Sequence, residues 1–201
     1  KRKNISFFFK DGQRVTSKEV LDVAFEVFSG ENKKIISALI DKGVNAIPVI
    51  GNLFKCNIDN KELGFVGEIK ETNTDEIKEI INSGGIPVVA PVGHTEDKQL
   101  VNINGDKATL ALAQEITPDK VIFLSEIGGI FDETNKLISN INIKDDYDRL
   151  MNEDWLHSGM KLKLQQIKLL LDILPSHSSV SITKPLHLNR ELFTDAGFGT
   201  L

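Results

Sequence analysis

Four groups of residues in this sequence have types and spacings that could do chemistry. Arg14, in DGQRVT, follows a predicted strand and turn. An arginine just beyond a strand end can grip a carboxylate with two parallel hydrogen bonds, or it can simply lie in solvent. Asn102 and Asp106, in VNINGD, precede a helical pattern and are four residues apart. If that turn is already helical they share a face, where they could bind a polar substrate and orient a cation; otherwise they cap the helix. Ser125-Glu126-Ile127-Gly128-Gly129 ends an apolar strand. Paired glycines let backbone approach a ligand such as a nucleotide's base or ribose, or they form a plain hairpin turn. Lys163 lies in SGMKLKLQQI with Lys161, two positions apart and so on different sides of a helix. The pattern leaves both lysines exposed.

Other chemistries find little footing. No GxxxxGK(S/T) loop and no GxSxG elbow occurs in the sequence. His94, His157, His177 and His187 have no metal-ligand spacing, so no metal site is expected. Cys56 is the single cysteine, predicted in a polar loop, so there is no intrachain disulfide and a reducing compartment is compatible. A net charge of −5 argues against a nucleic-acid binder, and the basic start Lys1-Arg2-Lys3 is too short to change that. No run of 18 apolar residues is present, so no membrane span is expected.

These residues are positioned by alternating strand and helix patterns. Strands are expected at Ile5 to Phe9, Asn45 to Gly51, Leu63 to Ile69, Ile86 to Ala90, Lys120 to Phe131 and Ser178 to Thr183. Asn52 to Asn60 reads as a loop or short hairpin, and 127–141 as a hairpin. A helix capped by Thr16 or Ser17 is expected to close at Ser29-Gly30, with a second from Asn32 to Lys42. Further helices are expected at 73–84, 107–115, 145–152 and from Gly159 onward. Crossovers of about a dozen residues imply a mainly parallel sheet covered by helices. With 201 residues, 40% of them hydrophobic, and no Pro/Gly/Ser-rich linker, the chain reads as one domain, 1–201.

The order of the motifs is more specific than any one of them. LGFVGEI (63–69), GGIPVVAPVG (84–93), LVNINGDKATLALA (100–113), FLSEIGGIFD (123–132), GMKLK (159–163) and ELFTDAGFGT (191–200) together resemble the acetylglutamate kinase branch of the amino acid kinase family, most of all its fungal and protist versions. The resemblance implies an α/β fold, a three-layer αβα sandwich with a mainly parallel central sheet. It implies transfer of the γ-phosphoryl of ATP, with Mg2+, to the side-chain carboxylate of N-acetyl-L-glutamate in arginine biosynthesis. A carboxylate is already ionised at neutral pH, so catalysis reduces to aligning two anions and neutralising charge.

By the same resemblance, Arg14 is similar to the residue that binds the substrate's α-carboxylate, and Asn102 to one contacting acetylglutamate. Asp106 resembles the aspartate that organises the catalytic lysines, and Lys163 the lysine that stabilises the leaving ADP. Ser125, Glu126, Gly128 and Gly129 match the nucleotide-binding turn, with Glu126 where bacterial relatives usually carry Asp. Trp155 and His157 lie where adenine contacts are expected. Glu191 and Gly197 match positions lining the inhibitor site of arginine-inhibited members. A homo-oligomer, fusion or association with another arginine-pathway domain, and a mitochondrial location, otherwise cytoplasmic, are further implications.

One departure stands out. The family's first strand carries a second catalytic lysine beside a Gly-Gly loop, and a Gly-rich loop follows it. Ten residues precede Asp11 here and none of them matches. The expectation is a fragment of a longer enzyme. The alternative is the non-catalytic, arginine-sensing domain of an acetylglutamate synthase; another amino acid kinase, acting on aspartate or glutamate, fits NINGD with GMKLK less well.

Overall fold

The computed structural model describes residues 8–10, 13–194 and 197–200, the side chain of Ser158 excepted. Most of the strand expected at Ile5 to Phe9, and the Asp11-Gly12 turn after it, lie outside these residues. The chain divides into two compact units, 1–115 and 116–201.

In the first unit, β1 (Phe9–Lys10) pairs antiparallel with β2 (Gln13–Arg14) and leads into α1 (Lys18–Ile40). Ser17 caps that helix, its hydroxyl accepting from Val20 N–H at 3.3 Å. The break expected at Ser29-Gly30 does not occur. An interior glycine costs a helix only about 1 kcal/mol, and Asn32 two residues later is buried, its Nδ2 donating to the Val88 carbonyl at 2.8 Å. That anchor holds the second half of the helix in line with the first.

Next come β3 (Ala46–Val49), β4 (Phe54–Asn57), β5 (Glu68–Thr72), α2 (Asp75–Asn82), β6 (Ile86–Val89), β7 (Val92–His94), β8 (Leu100–Asn102) and α3 (Gly105–Ile116). β3 and β6 run parallel in register from Ala46↔Ile86 to Val49↔Val89, with α1 and α2 packed on them. A four-stranded sheet has the order β5-β4-β7-β8, with β4 and β7 parallel and both edges antiparallel. β4 occupies part of the segment expected at Asn52 to Asn60 as a loop or short hairpin, and its antiparallel partner is β5. Phe54 and Cys56 are buried while Asn57 is exposed, a two-residue period hidden inside a polar segment.

In the second unit, β9 (Lys120–Leu124) is followed by a hairpin of β10 (Ile130–Phe131) and β11 (Leu137–Ile138), then α4 (Ile143–Met151), α5 (Ser158–Ile173), β12 (Ser179–Thr183) and α6 (Leu188–Phe193). β9 and β12 are parallel, Ser179↔Lys120 to Thr183↔Leu124. α5 buries Leu164, Ile167 and Leu170 and contacts β12. Parallel strands covered by helices recur in both units, the local layout of an αβα sandwich.

Segment 63–67 pairs with Thr16, two residues beyond β2, on one side and with Asn102 of β8 on the other. Thr16 N–H donates to Leu63 O at 2.9 Å, and Phe65 N–H to Thr16 O at 2.8 Å. On the other side, Asn102 N–H donates to Phe65 O and Gly67 N–H to Asn102 O, both at 2.9 Å. The strand expected at 63–69 is therefore a 3-10 turn (Lys61–Leu63), isolated bridges at Gly64 and Val66, and only then β5. Gly64 sits at φ +69°, and a Cβ there would run into the Thr16 carbonyl. Gly64→Ala should lower the unfolding free energy by about 1–3 kcal/mol in urea titration, from left-handed strain and displaced Thr16.

Candidate active site

In the first unit the candidate residues hang on the joined strands. Arg14 closes β2, half-buried, with its guanidinium carbon 5.1 Å from the centroid of the Phe9 ring. Asn102 closes β8. Between them stands Thr16, fully buried. Its hydroxyl donates to the Arg14 carbonyl at 3.0 Å and accepts from Asn102 Nδ2 at 3.3 Å. A polar thread thus runs from Asn102 through Thr16 to the backbone of Arg14.

Asp106 follows four residues later, in the first turn of α3. The helical face that Asn102 and Asp106 might have shared does not form, because Asn102 is still in a strand. Nor do these two cap the helix. Asn104 does, its Oδ1 accepting from Asp106 N–H at 2.9 Å and Lys107 N–H at 3.2 Å. Lys107 pairs with Glu68 of β5, tying the start of α3 to the sheet.

Cys56 forms the floor of this region. It packs where Cβ atoms on Gly67 and Gly93 would otherwise lie, so both neighbouring strands can come close. Burial, with a smaller contribution from the Glu68 carboxylate, pushes its thiol up to about 11. The unfolded thiol ionises near 9.0. Stability from keeping it neutral is therefore complete below pH 9 and is lost as pH rises toward 11. We expect resistance to urea unfolding to fall across that window, and Cys56→Ser to flatten the trend. At pH 8 a thiol reagent should modify Cys56 only as the protein opens.

In the second unit Ser125 to Gly129 follow the carboxyl end of β9, beside that of the parallel β12, where open α/β sheets place ligands. Glu191 lies by the other end of β9, its carbonyl accepting from Lys120 Nζ at 3.3 Å. Ser125 follows β9, its N–H donating to Thr183 O at 2.8 Å and its hydroxyl accepting from Ile127 N–H at 3.3 Å. Glu126 is exposed and Gly128 buried. Gly128 adopts φ +82°, and the stem of Lys184, just beyond β12, occupies the place where its Cβ would be. Gly129 leaves room for Leu137 and Thr200. Both glycines are thus required by packing as well as by the turn.

Lys163, expected in solvent, is half-buried on α5, with its ammonium 4.4 Å from the centroid of the Phe123 ring of β9. That cation–π contact brings it to the carboxyl half of the strand. The helical pattern missed this because the ring comes from a distant segment. Trp155 is half-buried and His157 exposed at the entrance to α5. Glu191, in α6, is buried, with Oε1 accepting from Phe198 N–H at 3.1 Å and Gly199 N–H at 3.3 Å. Gly197 lies directly against that carboxylate, so these two candidates are in contact. Thr16, Asn104 and Lys184 carry no site signal in the sequence; of the two cap candidates, Thr16 and Ser17, Ser17 takes the cap and leaves Thr16 to the polar thread.

A protein-family model described as the amino acid kinase family matches residues 1–172. The chain belongs to the amino acid kinase family. It is 43% identical over 192 residues to the acetylglutamate kinase of Xanthomonas campestris pv. campestris, which covers 95% of this chain and 45% of that protein. It is 41% identical over 194 residues to "Protein arg-6, mitochondrial" of Neurospora crassa, covering 96% of this chain and 22% of that protein. The chain thus spans less than half the length of these two relatives. In structure it is similar to the N-acetylglutamate synthase of Neisseria gonorrhoeae complexed with coenzyme A and N-acetyl-glutamate. The TM-score is 0.83 at 21% identity, over 97% of this chain and 46% of the other. At that identity the likeness establishes the amino acid kinase fold and nothing beyond it.

Proposed function

We propose that this chain is kinase machinery that transfers the γ-phosphoryl of ATP to the side-chain carboxylate of N-acetyl-L-glutamate, forming an acyl phosphate for arginine biosynthesis. The observation that carries the reading is 43% identity to an acetylglutamate kinase across 95% of the chain. Residues 1–172, matched by the family model, run through both compact units, which supports treating the two as one kinase domain.

In this reading Arg14 pairs with the α-carboxylate of acetylglutamate, and Asn102 hydrogen-bonds the same substrate. Both stand on strands laced together through 63–67, which fixes their spacing before substrate arrives. Ser125, Glu126, Gly128 and Gly129 form the nucleotide turn, with Trp155 and His157 toward the adenine. Lys163 neutralises charge on the phosphates as the γ-phosphoryl leaves ADP, and Asp106 takes the part of the aspartate that organises the family's catalytic lysines. No proton needs to be removed from the acceptor. Among the described residues no group of three or more His, Cys, Asp or Glu side chains could hold a metal ion. Bound together with ATP, Mg2+ would neutralise charge on the nucleotide phosphates.

Arginine feedback at Glu191 and Gly197, a homo-oligomer and a mitochondrial home also belong to this proposal, the last supported by the name of the Neurospora relative. No helix of the described residues is long and apolar enough to cross a membrane. The synthase-type regulatory reading has fold likeness at 21% identity behind it, against 43% for a kinase.

The test is ATP-dependent acyl phosphate formation from N-acetylglutamate by the full-length protein, trapped as the hydroxamate, with arginine titrated in the same assay. Turnover is expected; arginine binding without turnover would point to the regulatory domain. Lys163→Ala should reduce kcat about 100-fold or more while the fold survives, as judged by circular dichroism. Asp106→Asn should also lose turnover yet melt like the parent, since Asn104 provides the helix cap.

A further inference from the structure

We propose that Thr200 is a positioning residue for nucleotide binding, holding the far end of the 125–129 turn against β12. The inference rests on the nucleotide reading of that turn and adds the residue that fixes its shape.

The near end of the turn is tied to β12 directly, Ser125 N–H donating to the Thr183 carbonyl at 2.8 Å. The far end leaves Gly129 and enters β10 at Ile130. β10 pairs with β11 in a sheet of two strands, so the ladder itself does not fasten it to β12. Thr200 makes that connection. Its backbone exchanges two hydrogen bonds with Ile182, its N–H donating at 3.0 Å and its carbonyl accepting at 2.8 Å. Its hydroxyl accepts from Ile130 N–H at 2.8 Å and donates to the Ile138 carbonyl at 2.7 Å. Ile130 and Ile138 are paired residues of the hairpin, so one side chain grips both strands. The two ends of the turn are thus tied to adjacent residues of one strand. Ser125 is held by Thr183, and Ile130 is held, through Thr200, by Ile182.

The bonding leaves little freedom. A hydroxyl has a single proton, which here goes to Ile138, while a lone pair receives Ile130. Thr200 and Ile130 are both buried, so losing the hydroxyl would strand an N–H and a carbonyl without partners. Packing works in the same direction. A Cβ on Gly129 would lie 3.0 Å from Thr200 Oγ1, and one on Gly199 would run into the Ile182 carbonyl. Ahead of Thr200, the Glu191 carboxylate accepts from the N–H groups of Phe198 and Gly199 and holds the segment in place.

A turn that meets its ligand by close backbone approach binds best when its peptide groups are ordered beforehand, because ordering them on binding weakens affinity. Thr200 acts through Gly129 and Ile130 rather than by touching the ligand. The effect is confined to ATP, since Arg14 and Asn102, assigned to acetylglutamate, belong to the other compact unit.

Isothermal titration of the full-length protein with ATP and, separately, with N-acetyl-L-glutamate tests this. Thr200→Val keeps the shape of the side chain and removes the hydroxyl. ATP should bind about 10-fold more weakly, N-acetylglutamate should bind as it does to the parent, and Thr200→Ser should restore the ATP affinity. A purely structural role would lower the melting temperature and leave ATP affinity unmoved, or weaken both ligands alike; either result overturns the proposal. Should Thr200→Val fail to fold, hydrogen exchange in the parent decides. The amides of Ser125 and Ile130 should both be protected before ATP is added, and ATP, not N-acetylglutamate, should slow them further. Fast exchange at Ile130, or no response to ATP, overturns the proposal. Hydroxamate turnover by the parent, with ATP affinity unmoved in Thr200→Val, rejects this inference and keeps the kinase. Weakened ATP binding in that variant without turnover by the parent does the reverse, and a parent that binds no ATP rejects both.

Discussion

The first unit depends on one constraint: buried backbone polar groups must find partners. Segment 63–67 is too irregular to be a strand, yet Leu63, Val66 and Gly67 are buried. Its hydrogen bonds go outward to Thr16 on one side and Asn102 on the other. Gly64 makes the contact with Thr16 possible, and Gly67 makes room for Val101 and Cys56. The spacing between Arg14 and Asn102 follows from this lacing. A carboxylate and an amide on one ligand can be read by two residues only if their separation does not drift.

The second unit solves a different problem with similar means. β9 and β12 run parallel, so their carboxyl ends open on one side, and Ser125 and Lys184 emerge together there. Phe123 is one residue short of the strand end and offers its ring to Lys163. A lysine on a long helix loses side-chain entropy when it is pinned, and the aromatic contact offsets part of that loss. The Gly128 turn is shaped by the stem of Lys184 packed against it, so turn and cation are held as one piece. A rigid turn and localised positive charge suit a phosphate ester.

Helices were legible where punctuation and periodicity agreed, as in α2, with Thr74 ahead of it and Ile77 and Ile80 buried. Reading failed where a local signal was overruled from a distance. Ser29-Gly30 looks like a stop, but Asn32 reaches across to Val88 and α1 continues. NLFKCNIDN looks like a loop or short hairpin, but Phe54 and Cys56 fill the interior from alternate positions of β4, a strand with neighbours on both sides. Asn102 and Asp106 read as a pair on one helical face or as caps, and they are neither, because Asn102 ends β8 and Asn104 caps α3.

Residue types by themselves determined which chemistry was open: no nucleophile elbow, no phosphate loop of Walker type, and in their place an arginine, an asparagine, an aspartate and a lysine in a family-specific order. That order was enough to name the amino acid kinase family, because motif succession survives drift in the segments between motifs. Tertiary structure alone decided that Thr16, a residue with nothing unusual in its surroundings in sequence, joins Arg14 to Asn102. It also decided that Lys163 sits on an aromatic ring 40 positions earlier in the chain. The physical reason is the same in both cases. Hydrogen bonds and cation–π contacts act over a few ångströms in space, and which groups come that close is set by sheet pairing between distant segments, which no local pattern encodes.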